Sequence, residues 1–224
     1  MTVLLILAID TSGHTASAAL LENDTLRAQV SLHTLRTHSQ VMLPLCRQLL
    51  GNAGVTLPEI DLFAVADGPG SYTGLRIGIS AVKGMAFALD KPCAGISTLE
   101  GMAYNLLGTR GTICCAIHAR QQLHYCGIFS SDGRQITRLA EDAILSQTQL
   151  LEQLRALPQP VTVCGDGAAM LLEAEPALIP APPHLMLQSA VGVGLAARHA
   201  KPVDADALCA RYLQATQAEK LRNE

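Results

Sequence analysis

The sequence predicts a soluble α/β protein of two related lobes, and three observations carry that prediction. Hydrophobic residues make up 49% of the 224-residue chain and charged residues 16%, enough apolar material for a sizeable core. Buried-strand patterns alternate with helical ones in the order three strands, helix, strand, helix, and that order recurs in the second half. A glycine-rich turn, Gly68-Pro69-Gly70-Ser71-Tyr72-Thr73-Gly74, joins an apolar strand to a long helix.

Taken in order, residues 3–9 (VLLILAI) form a continuous apolar run, the mark of a strand buried on both faces. Asp10-Thr11-Ser12-Gly13 supplies turn residues. Residues 15–21 read as the return strand, Asn23-Asp24 as a second turn and 25–33 as a third strand. From His38 to Leu50 the period changes to that of a helix. Ser39 reads as its N-cap and Gly51 as its stop. Residues 61–66 predict a second buried strand, 73–89 a helix, 93–96 a short strand and 98–107 another helix. The second half repeats this with a hairpin at 112–118 and 123–129, a strand near 134–139 after Asp132-Gly133, a helix at 146–156, a strand at 161–164 and a helix after Gly165-Asp166-Gly167. Pro176, Pro180, Pro182 and Pro183 mark an irregular loop, and helices near 189–199 and 205–215 finish the chain. Two lobes of the ribonuclease-H/actin kind are therefore expected, residues 1–108 and 109–224, each a mixed sheet flanked by helices.

Charge and cysteine usage exclude several classes. Sixteen basic and 19 acidic residues give a net charge of −3, with no basic stripe to neutralise phosphates. At 3% aromatic content there is little surface for base stacking, so strong direct nucleic-acid binding is disfavoured, although RNA held mainly by a partner is compatible. The seven cysteines are scattered and form no C-x-x-C pair, which predicts free thiols and a cytoplasmic location. The apolar start is too short to span a bilayer, and no basic segment precedes it.

Two loops could carry chemistry. The turn at Gly68, Gly70 and Ser71 opens a helix whose free N–H groups suit phosphate. It is neither a Walker A loop nor a dinucleotide fingerprint, and the residue types alone favour a tight strand-to-helix connection with nothing bound. Asp10, Thr11 and Ser12 could hold a magnesium ion through water and touch phosphoryl oxygens, or simply form a turn. The histidines include no H-x-x-x-H pair; His118 and His124 flank a hairpin turn, where a hydrogen-bonded or exposed pair is the ordinary outcome. There is no G-x-S-x-G elbow. The helix at 73–89 carries Gly74, Gly78, Ala81 and Gly84, and interior glycines weaken a helix by about 1 kcal/mol each. Close approach of another backbone, from the sheet or from a partner helix, would compensate.

The residues Ile6-Leu7-Ala8-Ile9-Asp10-Thr11-Ser12, His38-Ser39, Leu43-Pro44 and Gly68 to Gly78 resemble the bacterial TsaB (YeaZ) family of threonylcarbamoyladenosine-biosynthesis proteins. Lys83-Gly84, Ser97-Thr98-Leu99-Glu100, Ala119-Arg120 and Gly165-Asp166-Gly167 extend the likeness along the whole chain. His118 departs from it, since many members carry Asp before Ala-Arg. The resemblance implies an actin/sugar-kinase-like fold related to TsaD, the subunit that transfers a threonylcarbamoyl group to adenosine 37 of ANN-decoding tRNAs. TsaD's metal motif, His-Met-Glu-Gly-His, falls on Thr98-Leu99-Glu100-Gly101-Met102, so a hydroxyl and a thioether replace two imidazoles and no metal or catalytic residue is expected here.

The resemblance further implies a heterodimer with TsaD, TsaE joining as an ATPase, and a homodimer when TsaD is absent. No intrinsic cofactor is expected, with ATP or ADP left open at the complex interface, and tRNA reached through the complex. The partner surface is expected on the two N-terminal helices, at His38, Val41, Met42, Leu45, Cys46 and Leu49 and at Gly74, Ile77, Gly78 and Ala81. The alternatives are an ATP-dependent phosphotransferase and, less favoured, a peptidase.

Overall fold

The computed structural model describes residues 3–33 and 36–213 and contains two five-stranded sheets. The first is built from β1 (Leu5–Asp10), β2 (Thr15–Glu22), β3 (Thr25–His33), β4 (Leu62–Gly68) and β5 (Cys93–Ser97), with α1 (His38–Ala53), α2 (Tyr72–Leu89) and α3 (Thr98–Asn105) between and after them. The second is built from β6 (Arg110–His118), β7 (Leu123–Asp132), β8 (Ile136–Ser146), β9 (Val161–Cys164) and β10 (Ile179–Pro180), with α4 (Gln147–Arg155), α5 (Ala168–Ala174) and α6 (Ala190–Ala197). The strand orders are β3-β2-β1-β4-β5 and β10-β9-β6-β7-β8. Read from its β8 edge, the second sheet repeats the first position by position. In each, three antiparallel strands are followed by a parallel one reached through a helix.

Burial follows the period of two expected of strands. Leu7 and Ile9 of β1, with Phe63 and Val65 of β4, pack toward α1 and α2. Ile6, Ala8, Ala64 and Ala66 face the opposite layer, which α3 and α6 cover. The apolar stripe of α1, Val41, Met42, Cys46, Leu49 and Leu50, is buried against the first of these layers; burying each large aliphatic side chain contributes about 1.5–3 kcal/mol. The eight residues of α6 are apolar all round, as a helix enclosed on several sides requires. It returns to the first sheet, where the Ala190 N–H donates to Ser17 Oγ at 3.1 Å. No helix among the described residues is long and apolar enough to cross a membrane.

Four expected boundaries are corrected. The N-cap of α1 is Thr37, not Ser39, and makes no side-chain cap hydrogen bond. Gly51 lies inside the helix, which stops at Gly54, where φ is 66° and the N–H reaches the Gly51 and Leu50 carbonyls. A glycine ends a helix where the chain turns left-handed, and only Gly54 does so here. β8 extends to Ser146, because β7 pairs with it from Ser131 to Leu123. Over 205–213 the expected last helix is only a 3-10 turn, Ala205–Ala207, followed by chain without regular structure, while 214–215 lie outside the described residues. Backbone bonds between Val203 and Cys93 and from Arg211 to Asp67 tie this segment to the first sheet.

Candidate functional site

The turn after β1 and the turn after β4 lie against each other. Asp10 is 1% exposed, and its Oδ1 accepts from the backbone N–H and hydroxyl of Ser12 at 2.8 and 2.6 Å. Burial pushes its carboxyl up to about 6, against the pull of those two bonds. Thr11 Oγ1 donates to the Gly74 carbonyl at 2.7 Å, and the Ser71 N–H donates to the Ser12 carbonyl at 2.7 Å. Ser71 Oγ caps α2 by accepting from Gly74 N–H at 3.2 Å.

The glycines serve this internal contact. A Cβ on Gly74 would lie 2.0 Å from the Thr11 carbonyl oxygen, and one on Gly70 would lie 2.5 Å from that of Ser12. Gly68, with φ at 129°, faces the Arg211 carbonyl oxygen, which would be 2.2 Å from a Cβ.

Between the two sheets lies a cleft of about 320 Å³. One wall is Ser12, Gly13, His14, Gly70 and Ser71; the other is Ile117 to Arg120, Tyr125 and Asp166, with Gln188 at the side. Its volume is at the low end for ligand sites, suited to a small anion at the start of α2 beside Arg120, with Asp166 opposing one. Of the six residues expected to handle phosphate, Ser12, Gly70 and Ser71 reach this cleft. Asp10, Thr11 and Gly68 are corrected: Asp10 and Thr11 are buried behind it with their side chains bonded to the chain, and Gly68 faces the C-terminal segment. Each serine hydroxyl is engaged locally, Ser12 with Asp10 and Ser71 with Gly74.

The burial of two titratable groups was not evident from the sequence. His124 is 0% exposed, and neither ring nitrogen has a partner among the described residues. Burial lowers its pKa; the neighbouring His118 lowers it further and Asp166 opposes. The expectation of a hydrogen-bonded or exposed pair thus holds only for His118, whose Nε2 lies 2.9 Å from the Gln121 carbonyl. Their cross-strand pairing on either side of the turn was the one hint available. Asp67 is the second group. Burial raises its carboxyl to about 6, against the pull of Arg211, whose guanidinium lies 3.3 Å away. Among the described residues no cluster of three or more His, Cys, Asp or Glu side chains is arranged to hold a metal ion. Thr98 and Met102 are buried at 0% and 2% exposure.

The expected partner surface divides in two. Val41, Met42, Cys46 and Leu49 are core residues, and Gly74 and Gly78 are buried against β1 and its turn; their assignment to a partner is corrected, because these faces are already covered by the chain's own sheet. His38, Leu45, Ile77 and Ala81 are half-buried. The apolar side chains that do stand in solvent on these helices are Leu43, Tyr72 and Phe87, at 53%, 43% and 75% exposure. Off the buried stripe, Phe87 and Tyr72 carry no periodic signal that distinguishes them.

Comparison with known proteins adds kinship to this geometry. The family model for TsaD, tRNA N6-adenosine threonylcarbamoyltransferase, matches residues 29–223. The tRNA threonylcarbamoyladenosine biosynthesis protein TsaB of Bacillus subtilis is 33% identical over 165 residues, 74% of this chain and 72% of the relative. TsaB of Escherichia coli is 31% identical over 215 residues, 88% of this chain and 93% of the relative. YeaZ from Pseudomonas aeruginosa superposes with a TM-score of 0.76 at 28% identity, covering 94% of this chain and all of that one, and a Pseudomonas aeruginosa protein described as similar to peptidase YeaZ superposes with a TM-score of 0.77. The two mixed sheets with their flanking helices thus share the fold of YeaZ, and the chain belongs to the TsaB family.

Proposed function

We propose that this chain acts in tRNA threonylcarbamoyladenosine biosynthesis as a non-catalytic subunit that docks a TsaD chain through the outer faces of α1 and α2. The observation that carries the reading is the exposed apolar set Leu43, Tyr72 and Phe87 on those two helices, in a chain that matches the TsaD model over most of its length. Beside them an apolar hollow between the two helices is lined by Leu43, Cys46, Leu50 and Met85, surface that could seat a partner, and two homologous chains can pair through matching helices in quasi-twofold fashion. Both cleft serines are hydrogen-bonded within their own turns, Ser12 to Asp10 and Ser71 to Gly74, which supports a scaffold over an enzyme built on a serine nucleophile. On the same reading TsaE joins the complex, ATP or ADP lodges at its interface, tRNA is reached through TsaD, the isolated chain self-associates through the same helices, and all of this happens in the cytoplasm.

Reconstitution tests the proposal. TsaD and TsaE with this chain should modify tRNA, and omission of the chain, or Ala81→Glu and Leu43→Glu in it, should abolish the modification and the TsaD complex. Full modification without the chain would sink the scaffold reading. The start of α2 opening on the cleft beside Arg120 favours a second reading, a nucleotide-dependent phosphotransferase. Saturable ATP binding by the isolated chain in calorimetry, lost in Arg120→Ala, would revive it.

A further inference from the structure

The last described stretch of the chain is a strap laced to the first sheet. Val203 exchanges both backbone bonds with Cys93, at 2.9 and 2.8 Å. Lys83 Nζ, on α2, donates to the Asp206 and Leu208 carbonyls at 3.4 and 3.2 Å, and Leu208 is buried in the core beside α2. The Arg211 N–H donates to the Asp67 carbonyl at 2.7 Å, and its guanidinium pairs with the Asp67 carboxylate. The strap's carbonyl at Arg211 occupies the space that any side chain at position 68 would need. Beyond that anchor the Tyr212 ring stacks on Tyr72, with centroids 5.2 Å apart. Arg76 donates to the Tyr212 hydroxyl at 3.3 Å and lies 4.2 Å from the centre of the Tyr72 ring.

The strap therefore changes the shape of α2's outer face. At about 100° per residue, Tyr72, Arg76 and Lys83 lie along one margin of the exposed arc, beneath the strap. Ile77 and Ala81 lie along the other margin, on the side where Met85 meets Leu43 and Cys46 of α1. Between them Thr73, Ser80 and Gly84 are exposed, with nothing within 4 Å of where a Gly84 Cβ would be, and Phe87, 75% exposed, stands on the same arc near the C-terminal end of the helix. A channel walled on one side by the strap and floored by Thr73, Ser80 and Gly84, with Phe87 at its C-terminal end, admits an α-helix, since small residues let helix axes approach closely. The two tyrosines nevertheless remain 43% and 39% exposed. Their rings are held by stacking and by Arg76, which makes them a preorganised aromatic anchor of the kind that dominates interfaces.

We infer that the strap, seated on Gly68 and Asp67, forms one wall of the TsaD-docking channel on α2, and that Tyr212 contacts the partner's helix directly. This rests on the docking reading above and assigns to Gly68 a task other than phosphate binding. Binding of TsaD to the full chain is measured by calorimetry for wild type, Tyr212→Ala, Tyr212→Phe and Arg211→Gln, with circular dichroism as the control for folding. Tyr212→Ala is expected to weaken binding about ten-fold or more, Arg211→Gln by less, and Tyr212→Phe is expected to restore most of the affinity. Wild-type affinity in Tyr212→Ala and Arg211→Gln, with both folded, would overturn the inference while leaving the docking reading intact. No binding by the wild-type chain would overturn both.

Discussion

The two sheets share one topology and differ in what they place at equivalent positions. At the end of the first strand Asp10 stands opposite Ser17 in the first sheet, whereas His118 stands opposite His124 in the second. The parallel strand leads into an 18-residue helix capped by Ser71 in the first, but into a 7-residue helix with no side-chain cap in the second. Two turns are about the least that makes a recognisable helix, and most of its stability then comes from packing. The first half thus concentrates the tight backbone contacts and the long, partly exposed helix, while the second mainly supplies the far wall of the cleft. A shared topology fixes which loops meet at the cleft; it does not fix what chemistry they bring.

The largest expected effect breaks the close packing of the first half. Gly74→Ala puts a Cβ 2.0 Å from the Thr11 carbonyl oxygen, so α2 must lift from the first hairpin. A loss of about 3 kcal/mol in urea unfolding is expected, and an unchanged midpoint would refute the contact.

Next in size is the opposite response of the two halves to acid. Asp10 and Asp67 titrate near 6 in the folded first half, above the unfolded carboxylate value of about 4. Between those values the folded chain holds extra protons, so their contribution to stability rises as pH falls, by at most about 1.4 kcal/mol per unit for each group. His124, its pKa lowered by burial, has the opposite sign: its contribution is present above the unfolded histidine value, about 6.5, and is lost as pH falls below it. Asp10→Asn should therefore steepen the net acid destabilisation measured from pH 7 to 5. His124→Leu should flatten it.

A smaller gain is expected from His124→Leu at neutral pH. Burying two unpartnered ring nitrogens is unfavourable, and replacing them with aliphatic carbon should stabilise by about 1 kcal/mol, read as a higher thermal midpoint. The smallest effect is Gly84→Ala on the open face of the same helix that Gly74 anchors. With nothing within 4 Å of the new Cβ, helix propensity alone should stabilise by about 0.5–1 kcal/mol. The contrast between Gly74 and Gly84 separates glycines needed for contact from those merely tolerated.

Much of the architecture was legible in the residue pattern. The runs at Leu5–Asp10 and Leu62–Gly68 are apolar on both faces because helices cover both sides of their sheet, and the 3.6-residue period marked α1 and α2 within a few positions. The candidate site was legible only in part. Asp10-Thr11-Ser12 and Gly68–Ser71 stood out as loops, and the structure brings them together, yet it turns Asp10 and Thr11 inward and hands Gly68 to the strap. The α1 stripe was correctly read as apolar and wrongly read as outward: periodicity gives the direction of a face relative to its own helix, not the identity of what lies against it. The non-helical course of 208–213 was invisible, since the alanines of 205–215 favour a helix until the backbone bond from Arg211 to Asp67 offers a better alternative.

The sequence by itself therefore determined the order of elements, the buried strands and the recurrence of one sheet plan, because these follow from short-range periodicity and from the need to bury apolar side chains. Tertiary structure alone decided which glycine meets which carbonyl, which carboxylate is enclosed, and where the C-terminal strap lies. Those choices depend on atoms distant in sequence approaching within a few ångströms, and no local pattern of side chains encodes that distance.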